Sequence, residues 1–186
     1  MSPSKIMIIR HAEKPSQDGT IGGVDESGVS DRESLSVRGW QRAGALVRYF
    51  SSNGSGTMDQ RLAEPQHLFA SKIDPAANSK SRRSLQTLTP IAQTLGVSIN
   101  ASFDKGDEPA MAREILTKTG VVLIAWEHGR ILDIANAIVT DQTILPASWP
   151  DDRFDVVWVL DSHSTGWKFD QVPQLLLAGD DRVENA

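Results

Sequence analysis

Short apolar runs alternate with segments of helical periodicity along this chain, and that alternation limits the folds it can adopt. The clearest runs are Ile6-Met7-Ile8-Ile9 and Val121-Val122-Leu123-Ile124-Ala125-Trp126, which are short and rich in β-branched residues, as buried strands are. Because helical segments separate such runs, the sequence predicts an α/β fold: a three-layer α/β/α sandwich around a mostly parallel central sheet. Without a linker or repeat, residues 1–186 are expected to form a single domain.

The other elements are predicted from spacing and from turn-forming residues. Helices are expected over residues 35–50, with Ser36 as the N-cap, and over 79–95, 108–119 and 130–139. The second of them is expected to end at Gly96 and the third at Gly120. Further strands are expected over 67–71 and 97–103, and a Ser/Gly turn over 51–56. Segments 156–160 and 166–169, joined by the polar residues 161–165, predict an antiparallel hairpin at the sheet edge.

Composition excludes several classes of protein. The net charge of −5 and the pI near 5.3 favour neither a nucleic-acid partner nor an anionic membrane surface. The chain has no cysteine, which excludes disulfides and thiolate chemistry. No apolar stretch approaches the roughly 20 residues of a membrane span, and no long apolar segment precedes Arg10. We therefore expect a cytoplasmic protein with no membrane partner.

Basic residues lie at the ends of two predicted strands and near the start of a predicted helix, and this placement indicates phosphate chemistry. Arg10 and His11 end the first apolar run, and His128 follows the run that ends at Trp126. Ligands of open α/β sheets bind beyond the carboxyl ends of the strands, so both histidines are expected at one cleft. Arg83 lies near the start of the second predicted helix, against the helix dipole, and a bound phosphate would resolve that conflict.

A long polar stretch over residues 15–34 follows soon after Arg10 and His11 and contains four glycines: Gly19, Gly22, Gly23 and Gly28. Loops of this length are uncommon in compact domains unless they serve a binding function. Its position beside Arg10 and His11 favours a lid over a passive excursion of the chain.

Four motifs occur in an order that resembles the histidine phosphatase superfamily, in its phosphoglycerate-mutase-like branch. They are Arg10-His11-Ala12-Glu13-Lys14-Pro15, Leu35-Ser36-x-x-Gly39-x-Gln41-x-Ala43, Arg83-x-x-Gln86-Thr87 and Glu127-His128-Gly129. Together they span roughly residues 5–139, most of the chain. A lone Arg-His pair would be a weak signal, whereas four ordered matches are specific.

The resemblance implies a metal-independent phosphatase without a cofactor. His11 would be the nucleophile that becomes phosphohistidine, and water would then hydrolyse it. Arg10 and Arg83 would hold the phosphoryl oxygens, and His128 would complete the pocket. The implied substrate is a phosphomonoester, with a small molecule favoured and a phosphoprotein as the alternative.

The proton donor for the leaving group is less well defined by the motifs. Glu108 is the first candidate, followed by Asp107, Asp104 and Glu127, because the family often places an acid after the third strand. The alternative interpretation of Glu108 is a charged first turn of the third helix. A second departure is Ala12, where the family often has glycine; alanine is small enough for a close backbone approach.

Three charged residues near these motifs have further predicted roles. Lys14 and Glu13 are expected to bind substrate, although Lys14 is equally compatible with a solvated loop lysine. Arg82 is expected to point about 100° away from Arg83 on the helix and to face solvent.

Three other functions compete with a phosphatase. A mutase of the same family is less favoured, since nothing marks a closed pocket that would retain the phosphoryl group. A non-catalytic phosphate-binding or regulatory module would keep Arg10 and Arg83 but lack a working acid. A nucleotide-binding domain is disfavoured because no Gly-rich phosphate loop follows the first strand.

Overall fold

The computed structural model describes residues 2–51, 59–75 and 80–182, and this part of the chain forms six strands, four α-helices and one 3₁₀ helix. The elements are β1 (Pro3–Arg10), α1 (Val37–Phe50), β2 (His67–Ser71), α2 (Arg83–Leu95), β3 (Ile99–Phe103), α3 (Glu108–Ile115), β4 (Gly120–Trp126), α4 (His128–Ile138), the 3₁₀ helix (Gln142–Ile144), β5 (Val156–His163) and β6 (Gly166–Pro173). None of the helices in these residues is long and apolar enough to cross a membrane.

The strands form one sheet in the order β3-β2-β4-β1-β5-β6. The pairs among β1 to β4 are parallel, whereas β5 is antiparallel to both β1 and β6. The predicted α/β fold and the predicted edge hairpin are confirmed. The hairpin strands are longer than predicted, since β5 continues to His163 and β6 to Pro173, which pairs with Val156.

Successive residues of the central strands bury opposite faces of the sheet, and this divides the core in two. Ile6 and Ile8 of β1 pack in one apolar cluster that includes residues of α3 and α4. Met7 and Ile9 pack in a second cluster with residues of α1 and α2. The period of two along a strand therefore places one helix pair on each face, which gives the predicted three layers.

Several predicted boundaries shift in the structure. Helix α2 begins at Arg83 rather than at 79, and residue 79 and the turn residues 52–56 lie outside the described part of the chain. Helix α3 ends at Ile115: the Leu116 N–H still bonds four residues back, but those of Thr117 and Lys118 bond to carbonyls three residues back and tighten the last turn. Gly120, which was expected to end the third helix, is instead the first residue of β4. Helix α4 begins at His128 rather than at 130.

Strand register places the two predicted histidines side by side. Arg10 pairs with Trp126 across the parallel strands β1 and β4, and the backbone N–H of His11 donates to the Trp126 carbonyl at 2.9 Å. The antiparallel strand β5 begins at this same end of the sheet, since Ile9 pairs with Val157. Three chain segments, after β1, after β4 and before β5, therefore meet at one edge.

Candidate active site

The ring of His11 is buried and held in a single tautomer. Its Nδ1 donates to the Ala12 carbonyl at 2.8 Å. A carbonyl oxygen can only accept, so Nδ1 carries the hydrogen and Nε2 of the neutral ring keeps its lone pair. Burial lowers the pKa of His11 well below its usual value, and the nearby charges of Arg83 and Arg10 lower it further against the effect of the Ala12 bond. The imidazole is therefore neutral at pH 7, as a nucleophile must be.

Arg10, the last residue of β1, is anchored beside this ring. Its Nη1 donates to the backbone carbonyls of Asp151 and Arg153, and its guanidinium lies 3.7 Å from the centre of the Phe154 ring. Burial lowers the pKa of Arg10 to about 10, which leaves it charged at neutral pH. The segment that precedes β5 therefore holds the Arg10 guanidinium in place.

Arg83 approaches the site from the first turn of α2. Its Nη1 lies 3.5 Å from the Arg32 carbonyl, and burial lowers its pKa. The Thr87 hydroxyl donates to the Arg83 carbonyl at 2.7 Å and accepts from the N–H of Ala12 at 2.9 Å. This one hydroxyl therefore ties the helix that carries Arg83 to the backbone beside His11.

His128, the first residue of α4, is half-buried. Its Nε2 lies 3.1 Å from the Asp151 Oδ1. Burial lowers the pKa of His128, and the charge of Arg10 lowers it further, while Asp151 raises it. A phosphoryl dianion beside the ring would favour the protonated form, in which both nitrogens donate.

Three buried nitrogens around the site have no hydrogen-bond partner among the described residues: Arg10 Nε, Arg83 Nε and His128 Nδ1. Unpaired buried polar atoms are costly and rare in folded proteins. These three belong to three different elements, and the charges of Arg10 and Arg83 both act on His11. An anion with several oxygens is the kind of ligand that satisfies such a set of donors.

The first-helix motif supports the segment after His11. Ser36 is the N-cap of α1: its hydroxyl accepts from the N–H of Gly39 and donates to the Glu13 carbonyl, both at 3.1 Å. A Cβ on Gly39 would lie 2.4 Å from that carbonyl, so only glycine permits this approach. The motif therefore maintains the loop geometry behind the site.

The remaining motif residue of α2, Gln86, performs a similar task. Its side-chain oxygen accepts from the N–H of Leu35 at 2.9 Å, and its nitrogen donates to the Ser34 hydroxyl at 2.8 Å. Gln86 is fully buried, and its bonds join α2 to the segment that enters α1.

Residues 15–34, the predicted lid, fold back on α1, since the Trp40 indole donates to the Val24 carbonyl at 2.9 Å. Opening and closing of this loop stays a prediction.

Glu13 and Lys14, both predicted to bind substrate, have different surroundings. The Glu13 carboxylate is occupied by Arg42, with a shortest distance of 2.8 Å, and by Arg38 at 3.1 Å. Arg42 is itself buried and also pairs with Asp180 at 2.7 Å. Within the described residues Lys14 makes no ion pair, and its charge acts on His128. Lys14 is therefore available to a ligand, whereas Glu13 already holds protein partners.

Of the predicted acids, Glu108 is the most enclosed. Its carboxylate accepts from the Trp126 indole at 3.0 Å and from the N–H of Gly106 at 3.0 and 3.1 Å. It lies in the first turn of α3, as the alternative interpretation predicted, and only 2% of it is exposed. Both carboxylate oxygens of Glu108 are therefore already bonded to donors within the protein.

The three other predicted acids also have protein partners. Glu127 pairs with Lys105 at 2.6 Å. Burial acts to raise the pKa of Glu127, but the hydrogen bond and charge of Lys105, together with the charges of His128 and Arg130, outweigh it and the pKa is lowered. Asp104 pairs with Lys72 at 3.3 Å, and Asp107 accepts from the N–H of Asp104. Across residues 2–51, 59–75 and 80–182, the structure contains no cluster of three or more potential metal ligands.

Three residues at the site were missed by the sequence analysis: Lys105, Asp151 and Phe154. Lys105 acts electrostatically on His11, and the Phe154 ring centre lies 6.2 Å from that of His11. Asp151 and Phe154 precede β5, which an antiparallel placement beside β1 brings to the carboxyl end of the parallel strands. The charged segment 151–155 before a strongly apolar strand was the available signal.

No family model matches the chain, and no curated protein sequence matches it. Among solved structures, mycobacterial hydrolase 1 aligns with a TM-score of 0.51 and 13% identity over 94% of this chain and 99% of that one. A mycobacterial glucosyl-3-phosphoglycerate phosphatase complexed with VO3 aligns with a TM-score of 0.49 and 13% identity, over 90% and 97% of the two chains. A chain described as phosphohistidine phosphatase SixA from Agrobacterium tumefaciens aligns with 0.47 and 16%, over 92% and 97%.

At 13% identity, the likeness to mycobacterial hydrolase 1 is a likeness of fold. It extends over almost the whole of both chains. The chain therefore shares its overall α/β fold with that hydrolase.

Proposed function

We propose that this chain is a phosphatase that transfers the phosphoryl group of a phosphomonoester to His11 and then to water, without a required metal ion. One observation carries the proposal: the buried imidazole of His11, whose Nδ1 is held by the Ala12 carbonyl, lies among buried donors of Arg10, Arg83 and His128 that lack partners in the described chain. A nucleophile surrounded by unpaired cationic donors is suited to an anionic, electrophilic phosphorus.

The proposed reaction has two steps. In the first, the lone pair of His11 Nε2 forms an N–P bond while the ester P–O bond breaks, and its electron pair stays on the leaving oxygen, which takes up a proton. In the second, water forms a P–O bond, the N–P bond breaks, and inorganic phosphate leaves with His11 again neutral. Arg10 and Arg83 offset the negative charge of the phosphoryl oxygens in both steps.

The wild-type protein is expected to hydrolyse p-nitrophenyl phosphate at the same rate with and without EDTA. When the reaction with a ³²P-labelled substrate is quenched rapidly without acid, we expect a labelled phosphoenzyme. Its label should be stable to alkali and labile to acid, as an N–P bond is. Loss of turnover on chelation, with recovery on adding Mg²⁺, would contradict metal independence. Turnover with no alkali-stable phosphoenzyme in single-turnover experiments would contradict the covalent step.

The pair formed by His128 and Asp151 is the best-placed source of the leaving-group proton. The Asp151 side chain is 93% exposed, its Oδ1 contacts His128, and its backbone carbonyl accepts from Arg10. We infer that His128, protonated beside a bound phosphoryl group, donates this proton and that the exposed Asp151 carboxylate positions its ring. Glu108, by contrast, is closed in by Trp126 and Gly106.

The amide variants Asp151→Asn and Glu108→Gln are expected to separate these two roles. Asp151→Asn should lower the turnover of an alkyl phosphate by about 10²-fold but hardly affect p-nitrophenyl phosphate, whose leaving group needs no proton. Glu108→Gln should keep both activities and lower the free energy of unfolding by about 1–3 kcal/mol, because an amide nitrogen would face a buried N–H. Steady-state kinetics and urea denaturation measure the two effects. Loss of alkyl phosphate turnover in Glu108→Gln, with normal turnover in Asp151→Asn, would instead identify Glu108 as the proton donor.

A phosphate-binding module is the second candidate function, and it is favoured by the protein partners that all four predicted acids already have. Such a module would bind inorganic phosphate in both the wild type and His11→Ala, and neither protein would turn over any phosphomonoester. Calorimetric titration with phosphate, run beside the turnover assays, distinguishes it from the enzyme.

A further inference from the structure

We infer that the leaving group of the substrate is an apolar aryl or alkyl group of a small molecule, bound in a groove that adjoins the phosphate pocket. The inference rests on the proposed function and specifies its substrate class. The groove has a volume of about 400 Å³ and is lined by residues that include Lys14, Pro15, Ile21, Arg38 and Phe154; we call it the leaving-group groove. Its volume lies in the range of small-molecule pockets, roughly 300–1,000 Å³.

Phe154 joins the leaving-group groove to the site of phosphoryl transfer. The same ring that lines the groove lies under the Arg10 guanidinium, 3.7 Å away, and is 6.2 Å from the His11 ring, centre to centre. Lys14 lines the groove as well, and its charge acts on His128. A molecule with its phosphate at His11 therefore has the groove as an adjacent surface for its organic part.

Most of the polar groups that line the groove are already bonded within the protein; among the described residues, the side chains of Gln17 and Lys14 are the exceptions. The Glu13 carboxylate is held by Arg42 and Arg38. The Ser36 hydroxyl is bonded to the backbone of Glu13 and Gly39. With these groups occupied, the apolar surface left to a ligand consists of the side chains of Pro15, Ile21 and Phe154, and the polar groups left to it are those of Gln17 and Lys14.

The Ser16 hydroxyl is occupied in the same way, since it donates to Asp18 and accepts from the N–H of Ile21 at 2.9 Å. The Ile21 side chain nevertheless remains 56% exposed. An exposed isoleucine in a concave surface gains free energy when a ligand covers it. Charge is left at the rim, on Lys14, where it would face the phosphate end of the ligand.

Alkyl phosphates of different length test the inference, because their leaving groups have nearly equal pKa values. Each buried methylene is worth about fourfold in binding, so kcat/KM for n-hexyl phosphate is expected to exceed that for ethyl phosphate by roughly tenfold or more in the wild type. Ile21→Ser should reduce this ratio at least about threefold. Val29→Ser is the matched control: Val29 is 61% exposed on the same loop but does not line the groove, and the ratio should not change.

Calorimetric binding of n-hexylphosphonate and ethylphosphonate to the wild type gives a readout that needs no turnover. Equal kcat/KM values for the two phosphates, together with equal phosphonate affinities, would overturn the inference and leave the phosphatase intact. Absence of turnover with tighter binding of the hexyl compound would reject the phosphatase and retain the apolar groove. An equal effect of Ile21→Ser and Val29→Ser would overturn the assignment of the groove.

Discussion

Turnover of p-nitrophenyl phosphate is expected to fall by roughly 10⁴-fold or more when His11 is replaced with alanine, since the covalent intermediate can no longer form. The buried ring contributes the reacting lone pair, because its Nδ1 is held by the Ala12 carbonyl and its Nε2 carries no hydrogen. Steady-state kinetics with an active-site titration for phosphoenzyme measures this loss. Residual turnover within tenfold of the wild type would reject His11 as the nucleophile.

The pH dependence of the wild type gives a second check on His11. Its pKa in the folded protein is lowered well below the usual value, by burial first and by the nearby arginines. The neutral form is therefore present above that lowered pKa, and kcat/KM is expected to be lost only as the pH falls through it. By linkage, protonation of the exposed histidine in the unfolded chain should make folding less favourable below about pH 6.5. The His11→Ala variant should lack this component of acid destabilisation.

The second large effect is expected at Arg83. Replacement with alanine should lower kcat/KM by roughly 10²- to 10³-fold, the loss associated with removing one preorganised donor from a developing oxyanion. Arg83 is half-buried with an unpartnered Nε among the described residues, so its guanidinium is already oriented for a ligand. Steady-state kinetics and phosphate titration measure the effect, and both kcat and phosphate affinity should decrease.

The neighbouring Arg82 supplies a matched control. Its side chain is 42% exposed and pairs with Glu26 at 3.4 Å and Asp31 at 4.0 Å, and its backbone N–H donates to the Glu33 carbonyl, a bond that alanine retains. Arg82→Ala is therefore expected to change kcat/KM by less than about threefold, since surface ion pairs contribute little. Equal losses in the two variants would indicate a general effect of charge rather than a donor at the site.

Much of the fold could be predicted from local patterns. The strand that ends at Trp126 and the helix that begins after Ser36 have a strong periodicity and clear terminal residues, and both occur where predicted. Ends that depend on competing hydrogen bonds were less accurate. The third helix stops at Ile115, where the Thr117 hydroxyl also bonds to a carbonyl within the last turn, and spacing alone does not indicate such a stop.

At the candidate site, the positions of the basic residues were easier to predict from the sequence than the partners of the carboxylates. The structure brings Arg10 and Arg83 within electrostatic range of His11, and Arg10 within range of His128, while their roles at the site stay predictions. The carboxylates were harder to assign, because a charged residue has the same sequence pattern whether it faces substrate or a protein partner. Glu13 with Arg42 and Glu108 with Trp126 illustrate this, since their partners are 29 and 18 residues away along the chain.

The sequence by itself determined which segments form strands and helices, and which of their ends carry basic residues, because periodicity and terminal residues act within a few positions of the chain. Only the tertiary structure decided which side chains share the pocket. The antiparallel pairing of β5 beside β1 brings Asp151 and Phe154 to His128 and Arg10, across a separation of more than 20 residues. Contacts of this kind depend on strand order and direction, which local preferences do not specify.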